Sequence, residues 1–123
     1  MLLELREGVT AALNTAGVSA VEYVGDVVRA PGAVVVPADP YLTTGGPGSG
    51  LPFGMTAVGL DVLLLSGLMT AKKQAAAMDE LIEKAVTALD GFDVRSVTRP
   101  GVITLKGAKY LACTVRVEEA TKL

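Results

Sequence analysis

The glycines at positions 45 and 50 stand at the G-x-x-x-x-G spacing of a phosphate-binding loop, inside the stretch YLTTGGPGSGLPFGM at residues 41–55. In such a loop the glycines let backbone N–H groups converge on phosphate oxygens, and a following Lys-Ser or Lys-Thr completes the site. Here Leu51 and Pro52 occupy those two positions, and no basic residue lies between Arg29 and Lys72. Gly46-Pro47-Gly48 also breaks a dinucleotide pattern, and the loop precedes a strand pattern rather than a helix. The residues argue against a nucleotide site.

Asp79, Glu80 and Glu83 form the next group able to do chemistry, as oxygen ligands for a divalent cation. They fall on one helical segment, where Glu80 and Lys84 also form an i,i+4 pair, so a solvated helix face accounts for them better. Cys113 is the single cysteine, which leaves neither an intramolecular disulfide nor a cysteine metal cluster. It alternates with apolar residues and reads as a buried, inert thiol. The chain has no histidine, which removes Ser-His-Asp and Cys-His catalysis and the commonest zinc sites. The reading carries no catalytic residue, metal or cofactor.

With 123 residues, half of them apolar and a fifth charged, the chain suits one ordered domain burying roughly two thirds of its unfolded surface. Aromatics make up 4% and tryptophan is absent, so the core must be Val, Leu and Ala. A net charge of −2 offers no broad attraction to nucleic acid. The start MLLELREG carries acids where a signal peptide carries bases. The apolar run from Leu60 to Met69 is far shorter than the roughly 20 residues that span a bilayer, so a soluble protein is expected.

Elements must position these residues. Leu2, Leu5, Val9, Ala12, Leu13 and Ala16 recur at helical spacing and predict a helix over 2–16, stopped at Gly17. VEYVGDVV and AVVVP predict two strands joined by a turn at Pro31-Gly32, with Pro37 and Pro40 ending the second. TAVGLDVLLLS at 56–66 predicts a central strand, with Val58, Leu60, Val62 and Leu64 on one face and Asp61, Leu63 and Leu65 on the other. Ala75, Met78, Leu81, Ile82, Ala85 and Leu89 predict a helix over 71–90, with Thr70 as a possible cap and Gly91 at its end. The remainder predicts two or three strands with turns at Pro100-Gly101 and Lys106-Gly107-Ala108. In the last of them Leu111, Cys113, Val115 and Val117 share the buried face of an edge or near-edge strand. The expected fold is a single α+β domain, a mainly antiparallel sheet with two helices on one face. Much of the other face is left without a helix. A connection of about a dozen residues at 41–55 is long for a hairpin, and its apolar residues Leu51, Phe53 and Met55 suit a mobile arm that docks on a partner better than a passive linker.

LREGVTAAL, then Y-V-G-D, P-G-A-V-V-V-P-A-D-P-Y-L, a glycine-rich insertion, G-L-D-V-L-L-L and the helix A-x-x-M-D-E-L-I-E-x-A together resemble the tail-terminator proteins of long-tailed bacteriophages, in particular those of actinobacterial phages. The resemblance covers about residues 2–118 and is most telling over Pro31 to Leu42 and Gly59 to Leu65. It implies an α+β subunit of a homohexameric ring that caps the head-proximal end of the tail tube, stops tube polymerisation and gives the head connector a surface to join. The implied partners are further copies of the chain, the tail tube protein and the head–tail connector proteins. Genomic DNA would pass through the lumen without specific binding, and no membrane or cofactor is involved. The implied location is the virion's head–tail junction, after assembly in the bacterial cytoplasm.

Within that frame Gly45, Gly46, Pro47, Gly48, Gly50, Leu51, Phe53 and Met55 are the expected assembly loop. Leu63 and Leu65 are expected under a neighbouring subunit. Asp61, an acid in an apolar strand, needs a partner or water, and Arg29, Arg95 or Arg99 across a subunit boundary are candidates; an exposed Asp at a strand crossing is the alternative. A head-completion or connector-adaptor protein of the same joint is the nearest rival. A small oligomeric enzyme using Asp61, Tyr23 or Tyr110 with the arginines, or a ligand-binding domain with the loop as lid, are further alternatives.

Overall fold

The first helix, α1 (Leu2–Thr15), forms where Leu5, Val9, Ala12 and Leu13 return to one side every turn, and Val9 and Leu13 are fully buried. In the computed structural model, which describes residues 2–22, 30–48, 50–67 and 71–122, its end is a Schellman turn. Val18 N–H donates to the Leu13 carbonyl and Gly17 N–H to that of Asn14, with Gly17 at φ 89°. The Asn14 side chain then bonds both backbone groups of Ala20, donating to its carbonyl at 3.1 Å and accepting from its N–H at 3.0 Å. That amide fixes the short strand β1 (Ser19–Val21) directly beyond the helix.

β1 pairs parallel to β2 (Gly32–Thr44), Ser19 opposite Gly32. Val21, the first residue of the expected strand, pairs parallel with Val34, and the rest of that strand from residue 23, with the expected hairpin it would form, lies outside the described residues. A correction concerns Pro37 and Pro40. They do not end β2, which continues to Thr44 through a bulge between Pro37 and Leu42 in its pairing with β3 (Thr56–Gly67). Proline cannot donate to a ladder, and a bulge relieves it of having to. β3 makes the bulge possible. A Cβ on Gly59 would lie 2.9 Å from the Pro40 carbonyl oxygen and 3.1 Å from the Ala38 Cβ, so only glycine leaves room.

β3 runs through the centre, antiparallel to β2 on one side and to β6 (Ala108–Thr121) on the other. β4 (Val94–Val97) and β5 (Gly101–Leu105) share the outer edge of β6, one after the other. β5 and β6 are joined by Lys106 and Gly107, both at positive φ (50° and 79°), the geometry of a two-residue hairpin turn. The sheet thus has six mostly antiparallel strands in the order β1-β2-β3-β6-β4, with β5 beside β6. This is the expected α+β fold.

The second helix, α2 (Ala71–Ala88), lies with α1 on one face of the sheet. Met78, Leu81, Ala85 and Leu89 meet Val35, Leu60, Val62, Leu64, Cys113, Val115 and Val117 in the main core. The expected stripe holds except at its first member. Ala75 is exposed, lining an open hollow beside Met78 and Leu111, and Thr70 lies outside the described residues. Cys113 is buried as expected, with its Sγ 3.9 Å from the Met78 Sδ, and burial pushes its thiol pKa up.

Candidate functional site

The sheet's other face carries the side chains that the two helices do not cover. Strand alternation places Asp61, Leu63 and Leu65 of β3 there, opposite Arg116, Thr114 and Ala112 of β6. The face divides along the strands into three parts.

At the end near the β5–β6 turn it is sealed by its own chain. Val34, Leu65 and Ala112 are buried in a second, smaller cluster, under Val21, Ile103, Leu105 and Tyr110. The cover expected from a neighbouring subunit is thus supplied to Leu65 internally, because the β5–β6 hairpin brings Ile103 and Tyr110 onto this side. Leu63 is only half-buried, at the border of the cluster.

The middle is charged. Asp61 and Arg116 are directly opposite in register, and Arg116 Nε donates to Asp61 Oδ1 at 2.7 Å. Both side chains are about a quarter exposed (25% and 28%), so the pair is partly desolvated. This corrects the expected partners of Asp61. Its arginine is Arg116, on the adjacent strand of the same chain; Arg29 lies outside the described residues, and Arg99 sits exposed at the β4–β5 turn. Arg95 joins the same network at a distance: its Nε is 3.7 Å from Glu118 Oε2 and its Nη2 is 2.9 Å from Asp93 Oδ2. Glu118 in turn lies 3.8 Å from Arg116 Nη1. A register shift between Val94 and Ser96 lets both Arg95 and Ser96 line this side, around a shallow hollow shared with Thr98 and Thr114.

At the far end lies the glycine loop. It is not an extended arm but closes on itself. Gly45 N–H donates to the Met55 carbonyl at 2.7 Å, Gly46 N–H to that of Leu51 at 3.2 Å, and Met55 N–H to that of Pro52 at 3.2 Å. A Cβ on Gly45 would stand 2.0 Å from the Pro52 oxygen, and Gly48, Gly50 and Gly54 hold φ near 80°. These glycines serve tight closure rather than reach. Pro47 and Pro52 are exposed, Leu51 and Met55 are half-buried, and the Phe53 ring protrudes, 79% exposed. Gly50 and Leu51 lean over the uncovered face and line a polar hollow with Thr43, Arg95 and Glu118.

Chemically, the face offers carboxylates and guanidinium groups at short range, suited to exchanging partners with an incoming charged surface. Asp79, Glu80 and Glu83 are all exposed on α2, and among the described residues no three His, Cys, Asp or Glu side chains gather closely enough to hold a metal. No helix among the described residues is long and apolar enough to cross a membrane. Sequence reading missed Arg116 and Glu118. Alternation in β6 put them opposite Cys113, but only strand register sets Arg116 against Asp61. No protein-family model matches the chain, and a search of curated proteins finds no match.

Proposed function

We propose that this chain is the terminator subunit of a long phage tail, forming a ring that caps the head-proximal end of the tail tube and presents a joining surface to the head. The observation that carries the reading is the sheet face that neither α1 nor α2 covers. Its charged middle, built on Asp61, Arg116, Glu118 and Arg95, lies open between a sealed apolar end and a closed loop that projects Phe53. Such a face is a docking surface rather than a cleft for a small molecule.

The resemblance of Pro31–Leu42 and Gly59–Leu65 to tail terminators supports the same reading. Those two segments are adjacent strands, and their register joins them through one device, the β2 bulge seated over Gly59. A capping subunit acts by asymmetry: one surface joins the tube and the other does not repeat it, so polymerisation stops. Electron microscopy of tails assembled without this protein tests the proposal. Overlong tubes are expected; tubes of normal length that lack heads would overturn termination and point to a connector adaptor of the same joint.

A further inference from the structure

Two exposed apolar features lie at opposite ends of the strands. Phe53, on the glycine loop, sits beyond the Thr56–Thr121 pair. On the helix side, toward the other end of the strands, Met78 of the main core, Pro100 and Leu111 line a hollow together with Gln74, Ala75 and Asp79, with no side chain of the described residues filling it. Val102, opposite Leu111 in register, adds an exposed apolar rim, 61% accessible. The two features are separated by most of the length of β3, roughly 35 Å for twelve residues at strand rise.

Charge follows the same axis. Lys72 and Lys73 precede the lining residues of α2, Arg99 precedes Pro100 and Lys109 lies two residues from Leu111 on the same face of β6; all four are exposed, while Asp79 is the charged residue of the lining itself. Asp90, Asp93, Glu118 and Glu119 gather at the Phe53 end, with Arg95 engaged by Asp93 and Glu118, and with Lys122 beyond them. An acidic end with a protruding aromatic and a basic end with an apolar hollow are complementary surfaces on one molecule. Such a pair makes a head-to-tail contact that a rotation can close into a ring.

We infer that Phe53 of one copy seats in the Met78–Pro100–Leu111 hollow of a second copy of this chain, with the acidic loop end meeting the basic rim. The inference rests on the ring reading and names its interface. A buried aromatic anchor inside a charged rim is the arrangement that carries most of the energy in protein interfaces, while the rim charges steer the approach.

The test uses the full chain and two single variants, Phe53→Ser and Val102→Glu, whose exposed positions leave the core untouched. Mass is measured by light scattering, alone and with tail tube protein. The wild type is expected as a ring and each variant as a monomer with unchanged circular dichroism. A mixture of the two variants is expected to give a one-to-one dimer, since it retains one intact knob and one intact hollow. Rings from either variant, or a mixture that stays monomeric, overturn the inference while leaving the ring reading standing. A wild type that stays monomeric even with tube protein overturns both.

Discussion

Asp61 and Arg116 face each other across β3 and β6, joined by a 2.7 Å charge-assisted hydrogen bond on the sheet face that neither α1 nor α2 covers. Each carries a charge into a partly dry environment, so each depends on the other. Arg116→Ala is expected to lower stability by about 1–2 kcal/mol, and Asp61→Asn by less, since the amide stays polar. A double-mutant cycle in urea measures the coupling. Additive single effects would show that water serves Asp61 as well as Arg116 does.

Leu65→Ala is expected to cost about 2–5 kcal/mol in the isolated subunit, because Leu65 is fully buried by its own chain. Denaturation of the dilute monomer decides this. A loss seen only in the assembled state would mean that the cover comes from a neighbour.

Gly59→Ala places a methyl group against the Pro40 carbonyl and the Ala38 side chain, both part of the bulge. The expected cost is about 1–3 kcal/mol, from overpacking against backbone. Gly45→Ala acts differently. Its Cβ would collide with the Pro52 oxygen, so the loop opens while the core stays intact. Chymotrypsin cleavage at Phe53 should accelerate in Gly45→Ala with little change in thermal midpoint, and the reverse pattern is expected for Gly59→Ala.

Burial raises the Cys113 thiol pKa. The folded state therefore holds this proton more tightly than the unfolded chain does. Stability from this group is fully present below the ordinary thiol value and falls as pH rises through the alkaline range. A disulfide reagent at neutral pH should label the protein only at the rate of its opening, and labelling as fast as a free thiol would show Cys113 accessible. Cys113→Ala should remove the alkaline loss.

Much of the fold was legible in the residues. Helical periodicity found both helices within two residues at each end, since one face of each had to be buried. Alternation assigned both faces of β3 and β6, because a strand's side chains point to opposite sides. Lys106-Gly107 named its own turn, where the backbone takes positive φ. Pairing was not legible. β1 lies parallel to β2 and is held immediately beyond α1 by the Asn14 amide, contacts set by three-dimensional placement.

For the site, the sequence by itself determined that Asp61 needed a partner or water, that Leu63 and Leu65 lay on the second face and that Cys113 was buried. Each follows from local chemistry and a period of two. Only the tertiary structure decided which arginine answers Asp61, that Leu65 is sealed by its own hairpin and that the glycine loop closes on itself. Those outcomes depend on register and on contacts between residues far apart in the chain. Local propensity carries no information about which distant strand arrives alongside, and that arrival set Arg116 against Asp61.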